Sequence, residues 1–265
     1  MPPSSVLIIG ASRGLGLALT KHYTSSLSPS SSPPDVYATI RGDPTSTKGL
    51  PEGVHVIGGI DLSQETVSED LVRGLEGKKV DVVYIVAGLL KTETFGEASW
   101  GDQVDMYKIC AIAPVMIVQA LATHDLLAPR AKILLLTSEA GSLSLRTPKE
   151  GGGNYGHHGS KAAGNMAGRL LSYDLKEKGV GVVMIHPGFL KTEMTKAAGF
   201  EQHYEEMGAV TPEEAAKYLA EFAETVTMEM SGKLWAPMGG RGIGNAKALM
   251  GPQAAEQTTP LELPW

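Results

Sequence analysis

Little in this chain invites a disulfide, a metal or a membrane. Its 265 residues include one cysteine, Cys110, so no intrachain disulfide can form, and no cysteine–histidine group has metal-site spacing. Positive charge is in deficit: 23 Lys and Arg against 29 Asp and Glu give a net charge of −6. That balance excludes the electrostatic footprint of a nucleic-acid or anionic-membrane partner. No apolar run is read as long enough to span a bilayer, and the polar start Met1-Pro2-Pro3-Ser4-Ser5 is not read as a signal peptide. A cytoplasmic protein is the expectation. Apolar content is ordinary at 42%, and the length suits one large α/β domain over residues 1–265.

What is present begins at the amino end. Ser5-Val6-Leu7-Ile8-Ile9 is a short apolar, β-branched run and reads as a buried strand. Gly10-Ala11-Ser12-Arg13-Gly14-Leu15-Gly16 follows at once, and a helical pattern continues from Leu17 to about Leu27. A tight strand-to-helix turn needs glycine for its dihedrals. A bare backbone there lets a pyrophosphate approach, and the helix amino terminus supplies partial positive charge. The spacing is Gly-x-x-x-Gly-x-Gly, and its place after a strand and before a helix makes it a dinucleotide signal.

Strands and helices then alternate. Val36–Ile40, Val54–Ile57, Val80–Val86, Ala131–Leu136 and Val180–Ile185 read as strands, with Lys233–Ala236 as a last one. Helical patterns run over Asp102–Leu127, bent at Pro114, over Lys161–Lys178, stopped by Gly179, and from Pro212 to about Thr225 with Thr211 as N-cap. Repeated β–α units imply a single-domain Rossmann fold: a doubly wound parallel sheet of about seven strands with helices on both faces. The Ser/Pro-rich segment 24–34 cannot build a core and reads as a surface loop.

Several short motifs lie at strand ends. Asp61-Leu62 follows the third strand and Ala87-Gly88 the fourth. Thr137-Ser138-Glu139-Ala140-Gly141 follows the fifth, then come Ser160-Lys161-Ala162-Ala163 and His186-Pro187-Gly188-Phe189-Leu190-Lys191-Thr192. With the glycine turn and the ending Glu262-Leu263-Pro264-Trp265, these make the chain resemble the short-chain dehydrogenases/reductases, in the branch of bacterial C-factor and related carbonyl reductases. The resemblance implies roles. Gly10, Ser12, Arg13, Gly14, Leu15 and Gly16 would hold the phosphates and the adenosine ribose. Asp61 and Leu62 would flank adenine, and Ala87 and Gly88 would run along the cofactor. Pro187, Gly188, Leu190 and Thr192 would shape the nicotinamide site. A plainer alternative is that Asp61 caps a turn and Pro187-Gly188 is an ordinary strand exit. Residues 190–210 would form a substrate lid, with Met194, Phe200, Tyr204 and Met207 facing a small apolar substrate. A homodimer or homotetramer through the long helices is common in the family.

Charge favours NADP(H) over NAD(H). An NAD site usually ends its second strand with a carboxylate for the ribose 2′-hydroxyl. Here Arg41 takes that place and Arg13 lies in the glycine turn; two guanidinium groups suit a 2′-phosphate. Two solvated surface arginines are the alternative. Asp43, beside Pro44, reads as a turn residue.

The catalytic group departs from the family pattern of Asn, Ser, Tyr and Lys. Ser138 and Lys161 are present, His157 stands in the tyrosine position, and Cys110 in the asparagine position. Three outcomes stay open. The protein is a carbonyl reductase with His157 as acid, or an enzyme of the same fold doing a cyclisation, dehydration or isomerisation with His157, His158 or Glu139. The third is a catalytically silent dinucleotide-binding protein. If His157 is the charged acid, turnover should fall as pH rises through its pKa, which Lys161 should depress by like-charge repulsion.

Overall fold

The computed structural model describes residues 2–25, 33–45, 49–241, 243 and 246–265. Most of the Ser/Pro-rich segment, residues 26–32, lies outside them. The strands β1 (Ser5–Ile9), β2 (Asp35–Thr39), β3 (His55–Ile57), β4 (Val80–Ile85), β5 (Leu127–Leu136), β6 (Gly181–Ile185), β7 (Leu234–Ala236) and β8 (Leu261–Leu263) form one sheet. Its order is β3-β2-β1-β4-β5-β6-β7-β8. All pairings are parallel except β7–β8, which is antiparallel. The sheet thus has one strand more than sequence alone suggests. β8 is only three residues of mixed character, too short for periodicity to separate from a tail.

Period-two alternation explains the layers. On β1, Leu7 and Ile9 face one buried cluster and Val6 and Ile8 the other. The first cluster is closed by α2 (Val67–Leu75), α4 (Ala113–Thr123) and α5 (Tyr155–Asp174), and the second by α1 (Gly14–Thr24) and α7 (Pro212–Thr225). Both faces of the parallel sheet are therefore covered, as its near-continuous apolar strands require. The chain reverses direction across the sheet between β1 and β4, and their carboxyl ends open the crevice where such sheets bind ligands.

The long helical pattern resolves into α3 (Trp100–Tyr107), a wide π-turn over Lys108–Ile112, and α4. Pro114 cannot donate to the carbonyl four residues back and would collide with it, so the widened turn precedes it. Helix ends at Thr123, and β5 begins at Leu127, four residues before the expected Ala131. By length and composition the continuous run Trp100–Thr123 could cross a membrane, contrary to the sequence reading. Here Ala113, Ile117, Val118 and Leu121 of that run are buried in the core. α5 starts at Tyr155, six residues before the expected Lys161, so His157 and Lys161 lie one turn apart on the same helix. α7 matches expectation, with Thr211 accepting from the Glu214 amide at 3.1 Å and Pro212 in its first turn.

Candidate active site

A cavity of about 1060 Å³ runs along the carboxyl ends of the strands. It brings together nearly every site residue expected from the sequence. Gly10, Ser12, Arg13, Gly14 and Leu15 line one end with Arg41, Asp61 and Leu62. Ala87 and Gly88 line the middle. Ser138, His157 and Lys161 line the other end; Pro187, Gly188, Leu190 and Thr192 line the cavity as well, with Thr192 reaching back beside Gly14.

Gly16 is the exception. It does not line the cavity, and a Cβ there would stand 2.1 Å from the Gly10 carbonyl oxygen. The missing side chain there lets the turn close on itself. Gly14 behaves differently. It has φ +54°, and only the Thr192 Cγ2, at 3.7 Å, lies near where its Cβ would stand. Arg13 is the extended N-cap of α1 and makes no side-chain capping bond, and no acidic residue occupies the first turn. A bare backbone at an uncapped helix amino terminus fits an anionic group.

Other residues at this end have a second job. Asp61 Oδ1 accepts from the amide and hydroxyl of Ser63, both at 2.9 Å, so it caps its own turn while lining the cavity. Asp43 accepts from the Thr45 amide and hydroxyl, as its turn reading requires. Thr192 is the N-cap of α6 (Glu193–Ala197), accepting from the Thr195 amide at 3.3 Å. Residues 190–210 are closed at their base by a parallel bridge between Leu190 and Val210. Phe189 packs edge-on against Phe200 and Tyr204. Met194, Phe200 and Met207 line the cavity; Tyr204 does not, and its hydroxyl bonds Thr195 and the Thr192 carbonyl instead.

The opposite end is crowded with ionisable groups. Lys161 is 8% exposed, and its ammonium donates to the Leu136 carbonyl at 3.0 Å, which anchors it to the end of β5. Ser138 Oγ accepts from the Ala140 amide at 3.1 Å. Cys110 is buried in the π-turn, its thiol directed to the Leu89 carbonyl at 3.8 Å. A small polar thiol paired this way is a packing residue. Tyr155 also lines the cavity, its hydroxyl 3.6 Å from where a Cβ on Gly152 would stand.

His157 is perturbed strongly. Burial pushes its pKa down to about 3, with Lys161, His158 and Arg146 lowering it further. The direction matches the sequence expectation, but the chief cause is desolvation, and Lys161 comes second. The ring is therefore neutral across the physiological range. His158 packs edge-on to it, with ring centroids 5.4 Å apart, and donates from Nδ1 to the Asn154 carbonyl at 3.0 Å.

Sequence reasoning missed Arg146 and Glu150. Arg146 bonds Glu139 through one terminal nitrogen and Glu150 through the other, the latter at 2.8 Å. All three line the cavity. Burial raises the Glu139 pKa, the adjacent Arg146 opposes that, and Glu150 adds to it. The Glu139 amide donates to His186 Nδ1 at 3.2 Å. All three lie in the irregular segment between β5 and α5, where no helical or strand period marks them, and the segment's own turns bring them together.

A short chain dehydrogenase family profile matches residues 4–202. Over 232 residues the chain is 31% identical to 1-hydroxy-2-glutathionyl-2-methyl-3-butene dehydrogenase of Rhodococcus sp. (strain AD45), which covers 87% of this chain and 95% of that protein. A 33% identity to C-signal of Myxococcus xanthus is confined to 99 residues, 37% of this chain and 58% of that one. Among solved structures, NADPH-bound carbonyl reductase from chicken fatty liver is similar with a TM-score of 0.74 at 24% identity, covering 89% of this chain and 93% of the other. The carbonyl reductase Sniffer of D. melanogaster gives 0.71 at 23% identity, covering 88% and 96%. With the glycine turn, the strand-end crevice and the lysine on α5 all in place, the chain belongs to the short-chain dehydrogenase family.

Proposed function

We infer that this protein is an NADP(H)-dependent oxidoreductase that reduces a carbonyl, or a related C=C or C=N group, on a small and largely apolar substrate. The observation that carries this reading is one continuous cavity. It has the open glycine turn and two arginines at one end, and Ser138, His157 and Lys161 at the other. Arg13 and Arg41 are the groups suited to a 2′-phosphate. Ala87, Gly88, Lys161, Pro187, Gly188 and Thr192 would hold the ribose and nicotinamide, and Leu62 with Asp61 the adenine. Reduced nicotinamide, when bound, supplies a hydride.

The protein's own residues then manage the proton. A histidine with a pKa near 3 is not a charged acid at neutral pH. Its neutral N–H, with the Ser138 hydroxyl, can donate to the substrate oxygen where negative charge develops. A neutral imidazole surrenders that proton only as its other nitrogen gains one. His157 thus works as a shuttle between the cavity solvent and the product alkoxide. The Lys161 ammonium, fixed on the Leu136 carbonyl, adds positive charge beside the reacting centre.

The substrate surface of the cavity is two-sided. Phe189, Met194, Phe200 and Met207 offer an apolar wall, and Glu139, Arg146 and Glu150 a polar one. A substrate with an apolar body and one hydrogen-bonding end suits both. Exposed Ile112 and Met116 on one helix and Met166, Leu170 and Tyr173 on α5 support a homodimer, which light scattering would test. The deciding experiment is NADPH consumption with ketones, aldehydes and enones, including a glutathionyl adduct of the kind named for the Rhodococcus relative. Product change without consumption of cofactor would favour the second reading, non-redox acid–base chemistry. That alternative is supported by Glu139, whose pKa burial raises, lining the same cavity as His157 and His158.

A further inference from the structure

Glu93 lies outside the cavity lining, in the segment between β4 and α3, and its side chain is 6% exposed. A buried carboxylate requires partners. It has two: Oε2 accepts from the Gly156 amide at 2.6 Å, and Oε1 from Gln103 Nε2 of α3 at 3.1 Å. Its backbone is tied to the same place. The Glu93 amide donates to Asn154 Oδ1 at 3.1 Å, and the Asn154 amide donates to the Glu93 carbonyl at 2.9 Å.

Those contacts fall on the first turn of α5. Asn154, the N-cap, is left-handed at φ +49° and makes no side-chain capping bond of its own. Gly153 has φ +95°, and a Cβ there would stand 2.6 Å from the Glu93 carbonyl oxygen. Helix amino termini leave amides in need of acceptors and favour negative charge. Here a residue about sixty positions earlier meets that need. The next residue after Gly156 is His157. Glu93 also ends the strand exit that carries Leu89 and Leu90 into the cavity wall.

We propose that Glu93 is the positioning residue for His157: its carboxylate caps α5 through Gly156 and locks the histidine's turn onto the strand exit that lines the cavity. This rests on α5 being the catalytic helix, but it can be tested without turnover. His157 is faced by Lys161 and His158 from its own helix and by Arg146 from the segment before it. Those groups stay in place when Glu93 is changed. What changes is how firmly the turn holds the ring out of water.

The test is NMR titration of the His157 ring, assigned by His157→Phe, in the full-length protein. In the wild type the ring should show no inflection between about pH 5 and 8. In Glu93→Ala the loosened turn should admit water, and an inflection should enter that window. Glu93→Gln should stay silent, because its amide oxygen still accepts from Gly156 while Gln103 turns its own amide to accept. Glu93→Asp, one methylene short of Gly156, should behave like Glu93→Ala and serves if the alanine variant does not fold. Circular dichroism shows that each variant is folded, and a merely structural Glu93 would lower stability without moving the ring's titration. A silent ring in folded Glu93→Ala or Glu93→Asp, or a titrating ring in Glu93→Gln, overturns the proposal. Failure of the oxidoreductase reading would appear separately, as wild-type protein that neither binds nor consumes NADPH.

Discussion

The two ends of the cavity are made from different materials. At the β1–β2–β3 end the surface is backbone and solvated charge: Gly14 opens onto the cavity, and Arg13 and Arg41 are exposed. At the β5–α5 end the surface is ionisable side chains held partly or wholly out of water: Lys161 is buried, Arg146 pairs with Glu139 and Glu150, and the same Arg146 is a charge neighbour of His157. An anion is held well by amides and guanidinium groups whose own protonation never changes. Proton transfer instead needs groups whose pKa the surroundings can move. The first end therefore depends on space, the second on environment, and a change at His157 would alter the second without touching the first.

The contrast is broken most severely by filling the space. Gly14→Val would force a branched residue to φ +54° and place its methyls in the cavity beside Thr192. Backbone strain alone costs about 1–3 kcal/mol, and blocking the anion's path adds to that. NADPH affinity should fall by roughly a hundredfold or more, with far-UV circular dichroism unchanged. Undiminished binding in the folded variant would place the dinucleotide elsewhere.

At the other end, His157→Phe should remove a donor to the developing oxyanion. Such a loss costs about 10²–10³ in kcat, while NADPH affinity should stay within about twofold, under half a kcal/mol. His157→Tyr should recover turnover if Ser138 and Lys161 serve a phenol as they would in the family pattern. Activity of His157→Phe equal to wild type would make the ring a cavity wall and leave Tyr155, which also lines the cavity, as the proton source.

The same contrast sets what could be read from the sequence. The glycine turn, strand ends and helix caps are local, so their residues announce themselves: Gly10, Ser12 to Leu15, Arg41, Asp61 and Gly88 all line the cavity as expected. Gly16 carries no such distinction, because packing and ligand contact leave the same glycine in a sequence. β8 was missed because its partner β7 is distant in the chain, and α5 was begun late because Tyr155 to Gly159 holds two glycines and two histidines, poor helix formers. What holds that turn is Glu93, which no nearby pattern marks. The depth of the His157 shift was also out of reach, since burial depends on neighbours from other segments.

Arg41→Ala should give a smaller effect at the cofactor end. Losing one charged hydrogen bond costs about 1–3 kcal/mol, and the loss should fall on NADPH and spare NADH. Calorimetric titration of both cofactors checks this; equal weakening would show that Arg41 acts on something common to the two, such as the adenine or the pyrophosphate.

The smallest expected effect sharpens the comparison through stability. The His157 pKa is depressed in the folded protein, to about 3 from the ordinary histidine value of 6.5. Between those values the unfolded chain binds a proton that the folded chain does not. Stability therefore rises with pH across this window, is fully present above about 6.5, and declines as pH falls toward 3. At about pH 5 the ring's share of that loss is on the order of 1–2 kcal/mol. Phenylalanine cannot bind the proton, so His157→Phe should lose less stability than wild type between about pH 7.5 and 5 in urea unfolding. Arg41→Ala, which changes an exposed group at the other end, should track wild type over the same range. Parallel pH profiles for wild type and His157→Phe would mean that His157 is solvated and protonates freely. The desolvation that separates the two ends of the cavity would then be absent, and with it the reason for treating the ring as neutral during turnover.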